Sequence, residues 1–470
     1  MTFLTADNIL GNFDNGNSVF FDNSALIESD VVVTIDPTAG QASFATVSFT
    51  PVIPTFGLAA GTSNATSIGS FLDNFNPAAA PADAAAVTNI MNGVLNGSSL
   101  VVNGAFNPAV ANALESQTSV VSNAVGAGAA AAVTQVASIA QGRVSATSMH
   151  NAAPTVDRFL AAAPTSLDDY FVDPAAYTMD PELEEDQPRY EQGDFTLWAE
   201  AAGGKSEIDS DNTAVGSESE TFGMTLGAES RLSSHTIVGL FAGFTETSVD
   251  VEGLPDESDI ENVQFGLYAG KQFKSDWSLN GTVSVGLLDI ENTRQTNTGT
   301  AESSTEGMAI LGSLEIGRDL LPGQTTLFSP FAGVEAAFVE RDGYSETGAG
   351  ALNLTVGDSE DEYLSSIVGF QLAARHQLNN HKELLLTGRL GWAHQFLDQS
   401  ASTTSNFTAL PTTSFSSNGP DRGRDSLRLG LSLNFSPESS DRWSVYARYT
   451  GDFAAGATDH IGQVGVRFTF

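Results

Sequence analysis

The chain ends in Asp459-His460-Ile461-Gly462-Gln463-Val464-Gly465-Val466-Arg467-Phe468-Thr469-Phe470. His460, Gly462, Val464, Val466, Phe468 and Phe470 share one face, while Gln463, Gly465, Arg467 and Thr469 share the other, because successive side chains of a strand point to opposite sides. One apolar and one polar face suit a barrel wall between lipid and a wet interior. The alternation recurs upstream to about Gly193, in twelve candidate strands: roughly 193–204, 219–232, 234–248, 260–274, 276–291, 305–319, 324–341, 360–379, 382–397, 423–436, 442–453 and 459–470. An even count is what a single-chain bacterial barrel requires.

The alternation also assigns facing. Leu427, Leu429, Leu431, Leu433 and Phe435 oppose Arg428, Gly430, Ser432 and Asn434. Val263, Phe265, Leu267 and Ala269 oppose Gln264, Gly266, Tyr268 and Gly270, and Trp443, Val445, Ala447 and Tyr449 oppose Arg442, Ser444, Tyr446 and Arg448. A water-soluble barrel would turn the apolar set inward. Arg389, Arg428, Arg448 and Arg467 are best housed in a hydrated interior, with Glu200, Glu229, Glu315 and Glu335 as candidate partners. Trp198, Trp392 and Trp443, with Tyr446 and Tyr449, are candidates for interfacial aromatic girdles, against ordinary strand aromatics as the alternative.

Short links are expected at Ser233, Ser275, Leu320 to Gly323, Asn380-His381, Ser436 to Asp441 and Ala454 to Thr458. Long ones are expected at 205–218, 249–259, 292–304, 342–359 and 398–422. Short turns on one side and long polar loops on the other match a porin-like barrel.

Composition narrows the function classes. The 470 residues include 57 acidic and 19 basic side chains, a formal net charge of -38. That balance opposes nucleic-acid binding, which needs a basic footprint. The absence of cysteine removes disulfide scaffolds and thiolate metal sites. Met1 to Leu10 carries no basic stretch followed by an apolar core, whereas an outer-membrane protein needs a signal peptide, so the expectation is a fragment or a misplaced start, against a membrane reading that is wrong.

Ahead of the strands, residues 1–60 hold short apolar runs, Val31 to Ile35 and Phe44 to Phe49, separated by Asn, Asp and Gly. They read as β-solenoid rungs or as linker. Pro51 to Pro108 reads as irregular, with one short helix over Ala84 to Leu95. Asn107 and Pro108 are a helix cap and a first-turn residue. A helix follows over Ala109 to Met149, interrupted at Gly126 and Gly128, and a weaker one over Thr155 to Ala162. Pro164 to Gln192 is an acidic tether.

Several segments resemble the C-terminal translocator domain of type V autotransporters. Gly391-Trp392-Ala393-His394-Gln395-Phe396 is similar to a glycine-tryptophan-arginine-histidine stretch of that family, with Ala393 at the arginine. Trp443 to Phe453 resembles its penultimate strand, and Pro330 to Glu335 its proline-started strand. Val464 to Phe470 resembles the terminal signal read by outer-membrane assembly machinery, and Asn112 to Ser116 a stretch upstream of the barrel. The resemblance implies an all-β fold: a 12-stranded antiparallel transmembrane β-barrel over 193–470. It implies a luminal α-helix within 107–192, either Ala109 to Met149 or Thr155 to Ala162, and a passenger remnant or solenoid stub with linker over 1–106. The implied function is export and anchoring of an N-terminal passenger at the surface of a Gram-negative cell. The implied partners are outer-membrane lipid, the barrel assembly machinery and periplasmic chaperones, around a monomeric barrel. A porin-like channel and an adhesin using its loops are the alternatives.

No catalytic, cofactor-binding or metal-binding residues are expected. His150, His235, His376, His381, His394 and His460 share no ligand spacing; His376 and His381 flank an expected turn, and His394 is assigned a packing or interface role. An outer-membrane phospholipase needs a serine–histidine pair on the outer wall, and the sequence pattern pairs none. Asn112 and Asn123 are candidates for self-cleavage, but no Asn-Asn pair occurs in the helical region. Asp250, Glu252, Asp256, Glu257 and Asp259 read as a solvated acidic rim rather than a calcium loop.

Overall fold

A computed structural model describes residues 27–35, 45–51, 55–76, 80–102, 105–119, 121–132, 195–233, 235–273, 276–320, 326–379, 382–397, 401–436 and 443–470. The expected helix Thr155 to Ala162 and the acidic tether lie outside these residues.

Twelve strands close a barrel, each hydrogen-bonded to its neighbours in chain order. The N-terminal elements come first: β1 (Ile27–Ile35), β2 (Ala45–Pro51), α1 (Phe56–Ala59), α2 (Ser63–Asn74), α3 (Ala84–Leu95), β3 (Val101–Val102), β4 (Ala105–Phe106) and α4 (Pro108–Ser116). The wall begins with β5 (Phe195–Ile208), β6 (Ser217–Ser233), β7 (Thr236–Val251), β8 (Glu257–Gln272), β9 (Trp277–Thr296), β10 (Gly299–Arg318) and β11 (Thr326–Arg341). After two short loop strands, β12 (Tyr344–Ser345) and β13 (Leu354–Val356), it continues with β14 (Ser359–Asn379) and β15 (Lys382–Gln395). Two further loop strands, β16 (Ser402–Phe407) and β17 (Ser414–Asn418), precede β18 (Asp425–Ser436), β19 (Trp443–Ala454) and β20 (Ala457–Thr469). The ring closes where β20 pairs antiparallel with β5, from Ala457 opposite Ile208 to Thr469 opposite Thr196.

All twelve expected strands are present, and their facing follows the alternation. Phe265 is 55% exposed and Leu267 59%, while Gln264 and Tyr268 on either side of them are buried. Val464, Phe468 and Phe470 are likewise exposed and Gln463 and Arg467 buried. A wall whose polar side chains are covered and whose large aliphatic ones are bare is built for a hydrocarbon exterior.

The buried face is polar and bonded. Thr221 meets Thr247 at 2.8 Å, Asn262 donates to Thr245 at 3.1 Å and Gln264 donates to Ser284 at 2.7 Å. Two of the anticipated pairings form: Arg389 donates to Glu315 at 3.1 Å, and Arg428 bridges Glu335 at 2.5 Å and Asp452 at 2.7 Å. Arg448 instead donates to Gln463 at 3.1 Å, and Glu229 accepts from the Tyr268 hydroxyl at 2.7 Å.

The girdle assignment fails for Trp198 and Tyr446, which are buried. Trp198 Nε1 donates to Tyr268 Oη at 2.9 Å; an indole N–H needs an acceptor, and the interior supplies one. These rings pack over glycines. A Cβ at Gly239 would come 2.2 Å from the Tyr268 ring, and one at Gly227 2.2 Å from Trp198. Trp392 and Trp443 are on the outer face, half exposed.

The links also differ from expectation. β9 and β10 pair from Gly299 opposite Thr296 downward, so the expected loop 292–304 is a tight turn. Alternation of direction puts the short Ala454 to Thr458 link at the long-loop end, not with the short turns. In the two longest loops, β12, β13, β16 and β17 form a separate four-stranded sheet. The two N-terminal runs, β1 and β2, pair antiparallel with each other.

The stretch expected to be irregular, 51–108, holds α1 and α2 as well as the expected α3. Thr55 and Thr62 cap α1 and α2 through their hydroxyls, and Asn107 caps α4 by accepting from Ala109 N, with Pro108 in the first turn. The interruption of the following helix lies at Gln117 to Ser119, where Ser119 has φ 56°, rather than at Gly126 and Gly128. Both glycines are inside a helix over 121–132, and close packing accounts for them. A Cβ at Gly126 would come 2.5 Å from Asp361 Oδ2, and one at Gly128 2.7 Å from Val249.

Candidate functional site

The long-loop end of the barrel, where the N-terminal helices meet it, brings together the most unusual side chains of the chain. The first is Arg294 near the end of β9, 2% exposed. Its Nε donates to Glu346 at 2.9 Å and its Nη2 to the same carboxylate at 2.5 Å. Nη1 donates to the Ser116 carbonyl at 3.1 Å, and Nη2 also to the Leu352 carbonyl at 2.7 Å. One planar guanidinium therefore ties a wall strand, the last turn of α4 and the loop between β11 and β14, a geometry that suits arginine and not lysine. Ser116 and Leu352 offer carbonyls at helix ends, where such groups lack helical partners.

A second arginine repeats the arrangement at a carbonyl six residues after Ser116. Arg341, at the end of β11, bonds the Ser122 carbonyl and donates to Asp361 at 2.7 Å. Between the two, Gln117, Thr118 and Ser119 are buried, and Ser119 meets Ser405 at 2.7 Å. Helix 121–132 then packs Val121, Ala124, Val125 and Ala129 against the inward-turned side chains Val249, Ile260, Leu288, Ile290, Ala309 and Val339. A cavity of about 360 Å³ adjoins Ala130 and Ala131 and is lined by Arg389, Arg428, Arg448, Glu335 and Asp452.

Above this, α1 to α4 share one apolar core with the loops. Ile68, Leu72, Val87, Ile90, Val110 and Leu114 from the helices pack with Ala349, Leu352, Leu354, Val356, Phe407 and Leu410 from the loops. Two carboxylates are buried at its base. Glu115 accepts from Thr62 Oγ1 at 2.8 Å, and burial raises its pKa to about 7, against the lesser effect of that hydrogen bond. Asp256 accepts from Gln295 N at 2.9 Å, and burial raises it to about 6 despite that bond and nearby Arg294. Asp256 thus departs from the expected solvated rim; it is 1% exposed.

Four wall acids face outward instead. On the outer face just above the apolar band, Glu246, Glu261, Asp289 and Glu306 stand directly opposite one another on β7, β8, β9 and β10. Like charges in such positions repel.

The histidines do not converge. His394 Nδ1 lies 2.8 Å from Asp425, which also accepts from Trp392 Nε1 at 3.1 Å, and His460 Nδ1 lies 2.7 Å from Tyr449 Oη. Register also sets Ser366 opposite His394, a neighbour the sequence pattern did not pair; among the described residues no hydrogen bond joins them. His376 lies within β14 rather than in a turn, and His150 and His381 fall outside the described residues. Asn112 lies exposed on α4; Asn123 is buried, accepting from Thr403 at 2.8 Å and donating to Ser417 at 3.3 Å. Among the described residues no group of three or more histidine or acidic side chains is arranged to hold a metal.

Arg294, Arg341, Glu346 and Asp361 escaped the sequence reading. The one available signal was scarcity, since basic residues number 19 in 470, and an arginine kept in a polar loop invites a search for its acid.

Residues 197–450, more than half of the chain, match the family described as the autotransporter beta-domain. The chain belongs to the autotransporters. Its barrel is accordingly an outer-membrane, transmembrane β-structure of type V secretion. Outer membrane protein B of Rickettsia japonica is 23% identical over 301 residues, 59% of this chain but 17% of that protein. An extracellular serine protease of Serratia marcescens is 28% identical over 208 residues, 43% of this chain and 19% of that protein. This autotransporter therefore spans a small part of the length of the curated relatives it matches. The translocator domain of autotransporter NalP from Neisseria meningitidis superposes with a TM-score of 0.48 at 16% identity, covering 60% of this chain and 91% of that one.

Proposed function

We propose that this autotransporter exports and displays an N-terminal passenger, with the barrel as its translocator and anchor. The observation that carries this reading is the path of the chain. Ser116 is held at the long-loop end by Arg294, whereas Phe195 opens β5 at the short-turn end. Helix 121–132 packs against inward-turned wall residues, which supports a luminal position for that helix. The N-terminal part then lies outside the cell, with Ser116 and Phe195 at opposite mouths of the barrel. Export and anchoring require no bond-making group, and we assign no reaction to them. The apolar exterior belongs in outer-membrane lipid. Val464 to Phe470, with its bare aromatics, is the segment offered to the assembly machinery after delivery by periplasmic chaperones, and the barrel works as a monomer.

The test is protease accessibility on intact Gram-negative cells, with a signal peptide supplied and tags before Asn8 and after Thr165. Loss of the first tag with survival of the second is the expected result. Survival of both until the cells are permeabilised would move the N-terminal region to the periplasm and the function to a channel.

A further inference from the structure

We propose that residues 55–119 are a resident cap that closes the long-loop mouth of the barrel, not part of the cargo, and that the barrel conducts only when this cap lifts and draws the helix over 121–132, which follows it, off the inner wall. The argument is first one of attachment. Ser63 N and Asn64 N donate to the carbonyls of Asn212 and Thr213, in the loop between β5 and β6. Asn64 exchanges side-chain hydrogen bonds with the backbone of Asn418, in the loop between β15 and β18. Asn297, in the turn between β9 and β10, donates to the Val94 carbonyl at 2.9 Å. Leu352 and Leu354, between β11 and β14, lie in the shared core. These loops rise from opposite sides of the twelve-strand ring, so one body fastened to all of them straddles the opening.

The second argument is one of folding. The helices are short and their apolar faces are covered by loop residues as well as by each other. Helices of this length are marginal in water without tertiary packing. The loops complete the core, so the cap is folded only where the loops are. Cargo that leaves the barrel would have to begin upstream of it.

The third is one of fastening. Arg294 and Arg341 hold the carbonyls of Ser116 and Ser122 from below. The buried Glu346 carboxylate makes the first of these a fixed joint, since a lone buried charge on either side is strongly disfavoured.

The chain contains no cysteine, which allows a clean lock. A Cβ at Gly93 on α3 would stand 2.9 Å from Leu352 Cγ, close to the spacing between Cβ and the far sulfur of a disulfide. The experiment is single-channel recording of the full chain carrying G93C and L352C in planar bilayers, before and after reduction, beside Arg294→Met and the wild type. Folding of each barrel is checked by heat-modifiable gel mobility. The expected result is at least a tenfold rise in open probability on reduction, and a similar rise for Arg294→Met over wild type. Equal open probability for the cysteine pair oxidised and reduced would overturn the proposal. That comparison uses one protein against itself and stands even if Arg294→Met does not refold. Surface display of the upstream tag separates the two ideas: display with no redox-dependent conductance defeats the cap alone, and gating without display defeats export alone.

Discussion

The wall and the cap are held together by opposite means. Each wall strand is registered to its neighbour over most of its length, as where β9 and β10 pair from Trp277 opposite Arg318 to Thr296 opposite Gly299. Its side chains need only alternate. The cap has no such ladder; its core joins Ile68 and Ile90 to Leu354 and Phe407, hundreds of residues away in the chain. The wall is stabilised by backbone pairing in lipid, where unpaired groups are heavily penalised. The cap is stabilised by apolar burial and two arginine joints in water. A perturbation of one should therefore leave the other largely intact.

The largest expected effect falls on the cap. Arg294→Met strands Glu346 in the core, and removing one partner of a buried pair destabilises by about 3–5 kcal/mol. Limited proteolysis should then cut within 55–116 while the barrel keeps its folded gel mobility; a protected cap would show that the joint contributes little. Gly239→Val attacks the wall instead. Its side chain would overlap the Tyr268 ring, and overpacking costs about 1–3 kcal/mol. Its thermal unfolding midpoint should fall with the cap still protected at room temperature, and an unchanged midpoint would mean Tyr268 can swing away.

The pH dependence sharpens the contrast further. Glu115 is raised from 4.5 to about 7 and Asp256 from 3.8 to about 6 when the cap is docked. The docked state therefore binds more protons than the undocked one. Its added stability is complete below the ordinary carboxyl range and declines as pH rises to about 7, by at most about 1.4 kcal/mol per pH unit for each proton. Cap proteolysis should be slowest near pH 4 and faster at pH 7.5, and Glu115→Gln should flatten the profile. A profile that rises toward acid would reverse the assignment. The smallest effect belongs to the outer acidic row. Glu261→Gln removes repulsion with Glu246 and Asp289, worth roughly 0.2–1 kcal/mol, and should raise the barrel's midpoint slightly in low salt and not in high salt.

Legibility followed the same division. The facing of Phe265 against Gln264, or of Val464 against Gln463, is a property of neighbouring positions, so the sequence displays it directly. Asn107 and Pro108 were readable as a helix start for the same reason. Trp198 and Tyr446 misled because an aromatic ring suits both a lipid interface and a glycine-floored interior, and the glycines that receive them sit on other strands. Gly126 and Gly128 read as breaks because their reason, contact with Asp361 and Val249, lies far along the chain.

The sequence by itself determined the strand count, the lipid-facing side and the closure of the ring, since a period of two is local and lipid permits only closed sheets. Only the tertiary structure decided that α1 to α4 share a core with the loops, that Arg294 and Arg341 are joints, and that Asp256 is buried. Those depend on which distant segments meet, and no local pattern encodes a meeting.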